Sequence, residues 1–104
     1  MSDESAKSVV AVEELNLPPP ALEKGGYEVL RAVISEGQLH VSLRRAFDEP
    51  EVWGLLLADI ARHVGRIYAR ETSLREENVV EKVWAMFEAE MDRPTDIGET
   101  KSVS

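Results

Sequence analysis

Leu30-Arg31-Ala32-Val33-Ile34-Ser35-Glu36-Gly37-Gln38-Leu39-His40-Val41-Ser42-Leu43 is the stretch on which the fold turns. Leu30, Ala32 and Ile34 alternate with other residues before Glu36-Gly37, and Leu39, Val41 and Leu43 alternate after it. A period of two marks a strand with one face set apart from the other. Glycine at the second turn position suits the left-handed backbone of a tight hairpin turn. Folding there sets Ile34 opposite Leu39, Ala32 opposite Val41 and Leu30 opposite Leu43, so all six share one face of an antiparallel ribbon over roughly 27–35 and 38–45. Glu28 then falls opposite Arg45, a favourable cross-strand pair. The other face, with Val29, Arg31, Val33, His40, Ser42 and Arg44, is mixed in character. An isolated hairpin is marginal in water, so its apolar face needs a cover.

Two helices downstream are the expected cover. Asp48-Glu49-Pro50-Glu51 reads as a helix start, with Asp48 as cap, proline in the first turn and Glu51 at the capping-box position. From there to about Arg70, Trp53, Leu56, Leu57, Ile60, Val64, Ile67 and Tyr68 fall on one broad face at helical spacing. Beside that face, Gly54, Ala58, Ala61 and Gly65 line one edge. A glycine costs a helix interior ~1 kcal/mol relative to alanine, so two on one edge point to close approach by another backbone. Thr72-Ser73 ends this helix, and Ser73 with Glu76 makes a second capping-box pattern. The next helix is expected to reach about Asp92, with Val79, Val80, Val83, Trp84, Met86, Phe87 and Met91 on its apolar arc and Glu77, Glu81 and Glu88 outside it. Arg93-Pro94 stops it.

The ends of the chain carry weaker signals. Residues 1–14 are polar and acidic and read as a mobile segment, with Val9, Val10 and Val12 as candidates for one short strand. Pro18-Pro19-Pro20 reads as a stiff extended spacer, followed by a helical turn at Ala21–Lys24 that Gly25-Gly26 stops. Residues 96–104 read as a mobile tail, leaving 15–95 as a single domain.

Composition narrows the function classes. Twenty acidic residues stand against 12 basic ones, for a formal charge of -8. That balance disfavours nucleic acid and anionic membrane, whose phosphates need a cationic surface. The chain has no cysteine, which removes disulfides, thiolate catalysis and zinc–thiolate sites. No apolar run approaches the ~20 residues of a membrane span. The acidic N-terminus lacks the basic-then-apolar pattern of a signal peptide. A cytoplasmic protein is the expectation.

Candidate chemistry is sparse. Arg62, Arg66 and Arg70 lie four apart on the polar side of the first long helix, a line of guanidinium groups able to bind a small anion or RNA backbone. A solvated face paired with nearby carboxylates explains the same residues. Asp59 and His63 lie one turn apart but lack a third ligand for a metal, and their spacing alone is weak support for acid–base work. No serine sits in a nucleophile-elbow context. Gly25-Gly26 is not followed by the Lys-Ser or Lys-Thr of a phosphate loop. No catalytic, cofactor or metal residue is assigned, and the chain is read as non-catalytic. Trp53, Trp84 and Phe87 read as core.

Leu39-His40-Val41-Ser42-Leu43, then Trp53-Gly54, then Leu57-Ala58-Asp59-Ile60-Ala61-Arg62-His63-Val64 with Tyr68, resemble a family of small bacterial proteins known as domain of unknown function 5076. The likeness extends through the prolines near Pro18 and through Phe87, Glu90 and Arg93-Pro94-Thr95, covering Leu17 to Thr95. The resemblance implies a bacterial, cytoplasmic protein and brings no activity, cofactor or site residue. The expected fold is α+β, in the order strand, strand, helix, helix, with the ribbon's apolar face on the helices and its sheet open to extension by dimerisation. The expected function is that of a small acidic interaction or regulatory module, homodimeric and contacting an unidentified protein. The candidate interface is Val29, Val33 and His40 on the ribbon's mixed face, with Val52 and Leu55 on the first long helix.

Overall fold

The register encoded around Glu36-Gly37 is the one adopted. In the computed structural model, which describes residues 11–95 and the backbone of 101–102, β1 (Leu30–Ser35) and β2 (Gln38–Leu43) pair antiparallel. Leu30 faces Leu43, Ala32 faces Val41 and Ile34 faces Leu39. Both turn residues are left-handed, Glu36 at φ 53° and Gly37 at φ 76°. This is the backbone twist that a two-residue hairpin requires, and Glu36 adopts it without the freedom of a glycine.

The Glu28–Arg45 pair expected at the open end of the ribbon is not among the ion pairs of the described residues. The ladder of β1 begins at Leu30, so Glu28 and Arg45 lie beyond the paired strands. Arg31 takes the Glu28 carboxylate instead, at 3.2 Å, and Glu14 at 2.9 Å. The Glu28 carbonyl accepts from Arg44 Nε at 2.9 Å.

The fold is α+β. α1 (Pro19–Lys24) precedes the hairpin, and α2 (Val52–Glu71) and α3 (Glu76–Asp92) follow it. The triple proline is only partly a spacer: Pro19 and Pro20 open α1, where their missing N–H groups cost nothing. Gly25 and Gly26, at φ 78° and 148°, end it.

Neither expected capping box forms. Before α2, a tight turn replaces the cap, with the amides of Val52, Trp53 and Gly54 bonded to the carbonyls three residues back, at 2.9–3.1 Å. Between α2 and α3 the organising residue is Thr72. Its hydroxyl donates to the Tyr68 carbonyl at 2.6 Å and accepts the Leu74 amide at 3.1 Å. α3 then starts from Arg75, two residues beyond the expected Ser73 cap. At the far end, Glu90 accepts both the amide and the hydroxyl of Thr95, each at 3.0 Å, which pins the chain after Pro94.

Two short segments bear on the ends of the chain. Lys101–Ser102, called β3 here, pairs parallel with Ser42 and Leu43 of β2. The rest of the 96–104 tail, and Val9 and Val10 of the candidate N-terminal strand, lie outside the described residues; Val12 is in irregular structure.

The expected packing of ribbon on helices is not present. α2 packs on α3 and β2 on its neighbouring strands, but neither strand of the hairpin approaches either long helix. At the joint between hairpin and helices, Phe47 meets the Trp53 ring edge to face, with centroids 5.4 Å apart, and the three turn bonds close the segment from Glu49 into the start of α2. Among the described residues the only buried hydrophobic side chain is Val79, at 5% exposure.

Candidate interaction surface

The small-residue edge of α2 decides how the helices close. A Cβ on Gly65 would sit 2.8 Å from Val80 Cγ2 and 3.1 Å from the Glu76 carbonyl oxygen, so α3 occupies the space a side chain would need. At Gly54 a Cβ would meet nothing within 4 Å. Close approach is therefore confined to the Gly65 end of the edge.

α3 sits at the Gly65 end of this edge, and the large residues beside it stay open. Leu57, Ile60, Ile67 and Tyr68 of α2 are all exposed. Ile60, Val64, Ile67 and Tyr68 frame a shallow apolar recess with His63 at its border. On α3, Trp84 and Phe87 stack at 5.5 Å with an interplanar angle of 12°, and Trp84 remains 57% exposed. Met91 lies near them, lining the same depression with Ala85, Glu88 and Asp92. The aromatics expected in the core thus divide: Trp53 is half-buried at the joint, while Trp84 and Phe87 are on the surface.

The hairpin shows the same openness. Ile34 and Leu39, paired across the turn on the apolar face, are 68% and 61% exposed. Large uncovered apolar patches on a chain of this size mark interaction surfaces, and stacked aromatics are frequent anchors within them.

The expected interface residues do not form one patch. Val29 and Val33 are half-buried and His40 is exposed on the mixed face of the hairpin. Val52 is half-buried at the start of α2, and Leu55 stands 71% exposed near it. The two groups belong to elements that do not touch. Period analysis missed the stronger candidates, Ile34, Leu39 and Trp84, because it assigned them to the interior.

The arginine line is partly engaged. Arg62 reaches Asp59 at 3.6 Å, and Arg66 reaches Glu76 at 3.7 Å and His63 Nδ1 at 3.3 Å. Arg70, in the last turn of α2, has no ion pair among the described residues. Exposed pairs of this kind contribute about 0–1 kcal/mol each. Asp59 is drawn to Arg62, and the described residues hold no cluster of three or more potential metal ligands. The hydrogen bonds of Arg31 to Glu28 first, then to Glu14, raise its pKa above the ordinary guanidinium value. Arg44 lies over the Tyr27 ring at 5.5 Å, so the cations of the mixed face already have partners.

The family described as "Domain of unknown function (DUF5076)" matches residues 14–95. The chain belongs to that family. No curated protein matches it. Among solved structures it is similar to a protein of the photosynthetic bacterium Rhodopseudomonas palustrus CGA009 described as a "putative pyruvate dehydrogenase". The two share 43% identity, the match covers 92% of this chain and 100% of the other, and the TM-score is 0.72. Among the described residues, no helix is long and apolar enough to cross a membrane.

Proposed function

We propose that this DUF5076 chain is a small acidic protein-interaction or regulatory module that works without catalysis, as a homodimer in the bacterial cytoplasm, and contacts a further protein. One observation carries the reading: the chain presents two open apolar faces, on the hairpin and on the helices, and they do not cover one another. Apolar surface left in water is the main driving force for association. Light scattering on the purified full chain tests it. A mass twice that of the chain at micromolar concentration is expected, and a monomer there overturns the homodimer.

Binding of a small anion or RNA through Arg62, Arg66 and Arg70 is the second reading, favoured by Arg70, whose guanidinium has no ion pair among the described residues. It ranks lower because Asp59 and Glu76 already face the other two. Fluorescence anisotropy with a single-stranded RNA and with pyrophosphate separates the two readings. Affinity that falls with salt and on Arg66→Ala supports the second. A dehydrogenase reading draws only on the name of the solved relative, and pyruvate turnover by the purified chain with an added electron acceptor would replace the non-catalytic reading.

A further inference from the structure

The stretch before α1 returns to the hairpin. Glu14 and Arg31 are 17 residues apart in sequence, yet the Glu14 carboxylate lies 2.9 Å from Arg31 Nη1. Between them the chain runs out through Pro18 and α1, then turns back at Gly25 and Gly26, whose positive φ suits glycine.

The receiving arginine is held in place. Glu28 Oε1 accepts from Arg31 Nε at 3.3 Å and from Nη2 at 3.2 Å. Two donors engaged on one carboxylate restrict the swing of the guanidinium, and Nη1 is left for Glu14. Glu28 is placed in turn by Arg44, whose Nε donates to the Glu28 carbonyl at 2.9 Å and whose guanidinium lies over the Tyr27 ring. Arg31 is therefore a prepared seat for a carboxylate, on the mixed face of the hairpin between Val29 and Val33.

Little else holds the segment that fills the seat. Among the described residues, no backbone hydrogen bond joins 11–17 to the hairpin. Val12 and Leu17 are each 56% exposed and Leu15 is 96% exposed, so the apolar side chains of the segment remain in water. The attachment is electrostatic. An exposed ion pair favours its closed form over its open form by about one- to five-fold, so both forms are well populated.

We infer that segment 11–17 is a strap on the mixed face of the hairpin, latched by Glu14 on Arg31 and balanced between closed and open. Opening frees Arg31 Nη1 and the face beside it together. Salt, or a second carboxylate that competes for Arg31, moves the balance towards open. The strap is a property of one chain and stands whether or not two chains pair.

The chain has no cysteine, so a nitroxide on Leu15→Cys in the full-length protein reports the strap. In dilute isotope-labelled protein at low salt, broadening is expected at the amides of Arg31, Val33 and Ser42, beyond that on α3. Glu14→Gln lies outside every helix and strand and is expected to reduce this broadening about two-fold or more. Arg31→Gln is expected to do the same, as is salt at about 1 M, where screening acts within ~3 Å. Glu13→Gln, which removes the same charge one residue away, is expected to leave it unchanged. Undiminished broadening in both Glu14→Gln and Arg31→Gln shows that something other than the latch holds the segment, and overturns the inference. An equal loss in Glu13→Gln assigns the effect to overall charge and also overturns it. So does broadening that arises only between chains, read in a mixture of nitroxide-bearing unlabelled protein and nitroxide-free labelled protein.

Discussion

The contact between Gly65 and Val80 and the face around Ile34 and Leu39 are both apolar and both encoded by clear periodicity, yet one is closed and the other open. At Gly65 the two helices meet so tightly that no side chain fits. Around Ile34 and Leu39, neither long helix approaches. The two regions also differ in their connections. α2 and α3 are joined by a short turn tied by Thr72, which makes them antiparallel neighbours, whereas the hairpin is joined to α2 through a segment anchored on Trp53.

The largest expected effect tests the closed region. Val79→Ala removes two methyl groups from the most buried side chain and is expected to cost about 2–3 kcal/mol, read as a lower urea midpoint at fixed protein concentration. A loss below about 0.5 kcal/mol, the level of an ordinary surface change, would show that the helical pair is not the stable half. Gly65→Leu comes next. Overpacking against Val80 and the Glu76 backbone is expected to destabilise by about 1–3 kcal/mol, visible in the thermal midpoint.

Gly54→Ala sharpens the comparison within one helix edge. With open space at the new Cβ, helix propensity alone acts, and a gain approaching ~1 kcal/mol is expected. A loss on Gly54→Ala would mean that a second chain occupies that space. The smallest effect concerns the turn. Glu36→Asn places a residue that tolerates φ 53° beside Gly37, and a gain of a few tenths of a kcal/mol is expected in the unfolding midpoint, since the full β-propensity scale spans only ~1 kcal/mol.

Much of the fold is legible in the sequence because it is local. The hairpin register follows from a period of two on either side of one turn, and both long helices follow from their apolar spacing. The capping residues are less legible. Ser73 and Asp48 have the right chemistry, but a turn closed by backbone bonds before Val52 and the hydroxyl of Thr72 take those roles. The site is least legible. Period assigns Ile34, Leu39, Trp84 and Phe87 to a face that needs cover, but it carries no information on which chain supplies the cover. Gly54 and Gly65 make the same point: they share an edge in projection, and only the path of α3 decides which of them is crowded.

The open face of the hairpin has a consequence for the life of the protein in the cell. Until that face meets a cover, Ile34 and Leu39 stand bare in water. Under the proposed homodimer, degradation would follow the population of unpaired chains, so expression level itself would set survival: scarce copies removed, abundant ones retained. Abundance would then be coupled to association without any dedicated regulator.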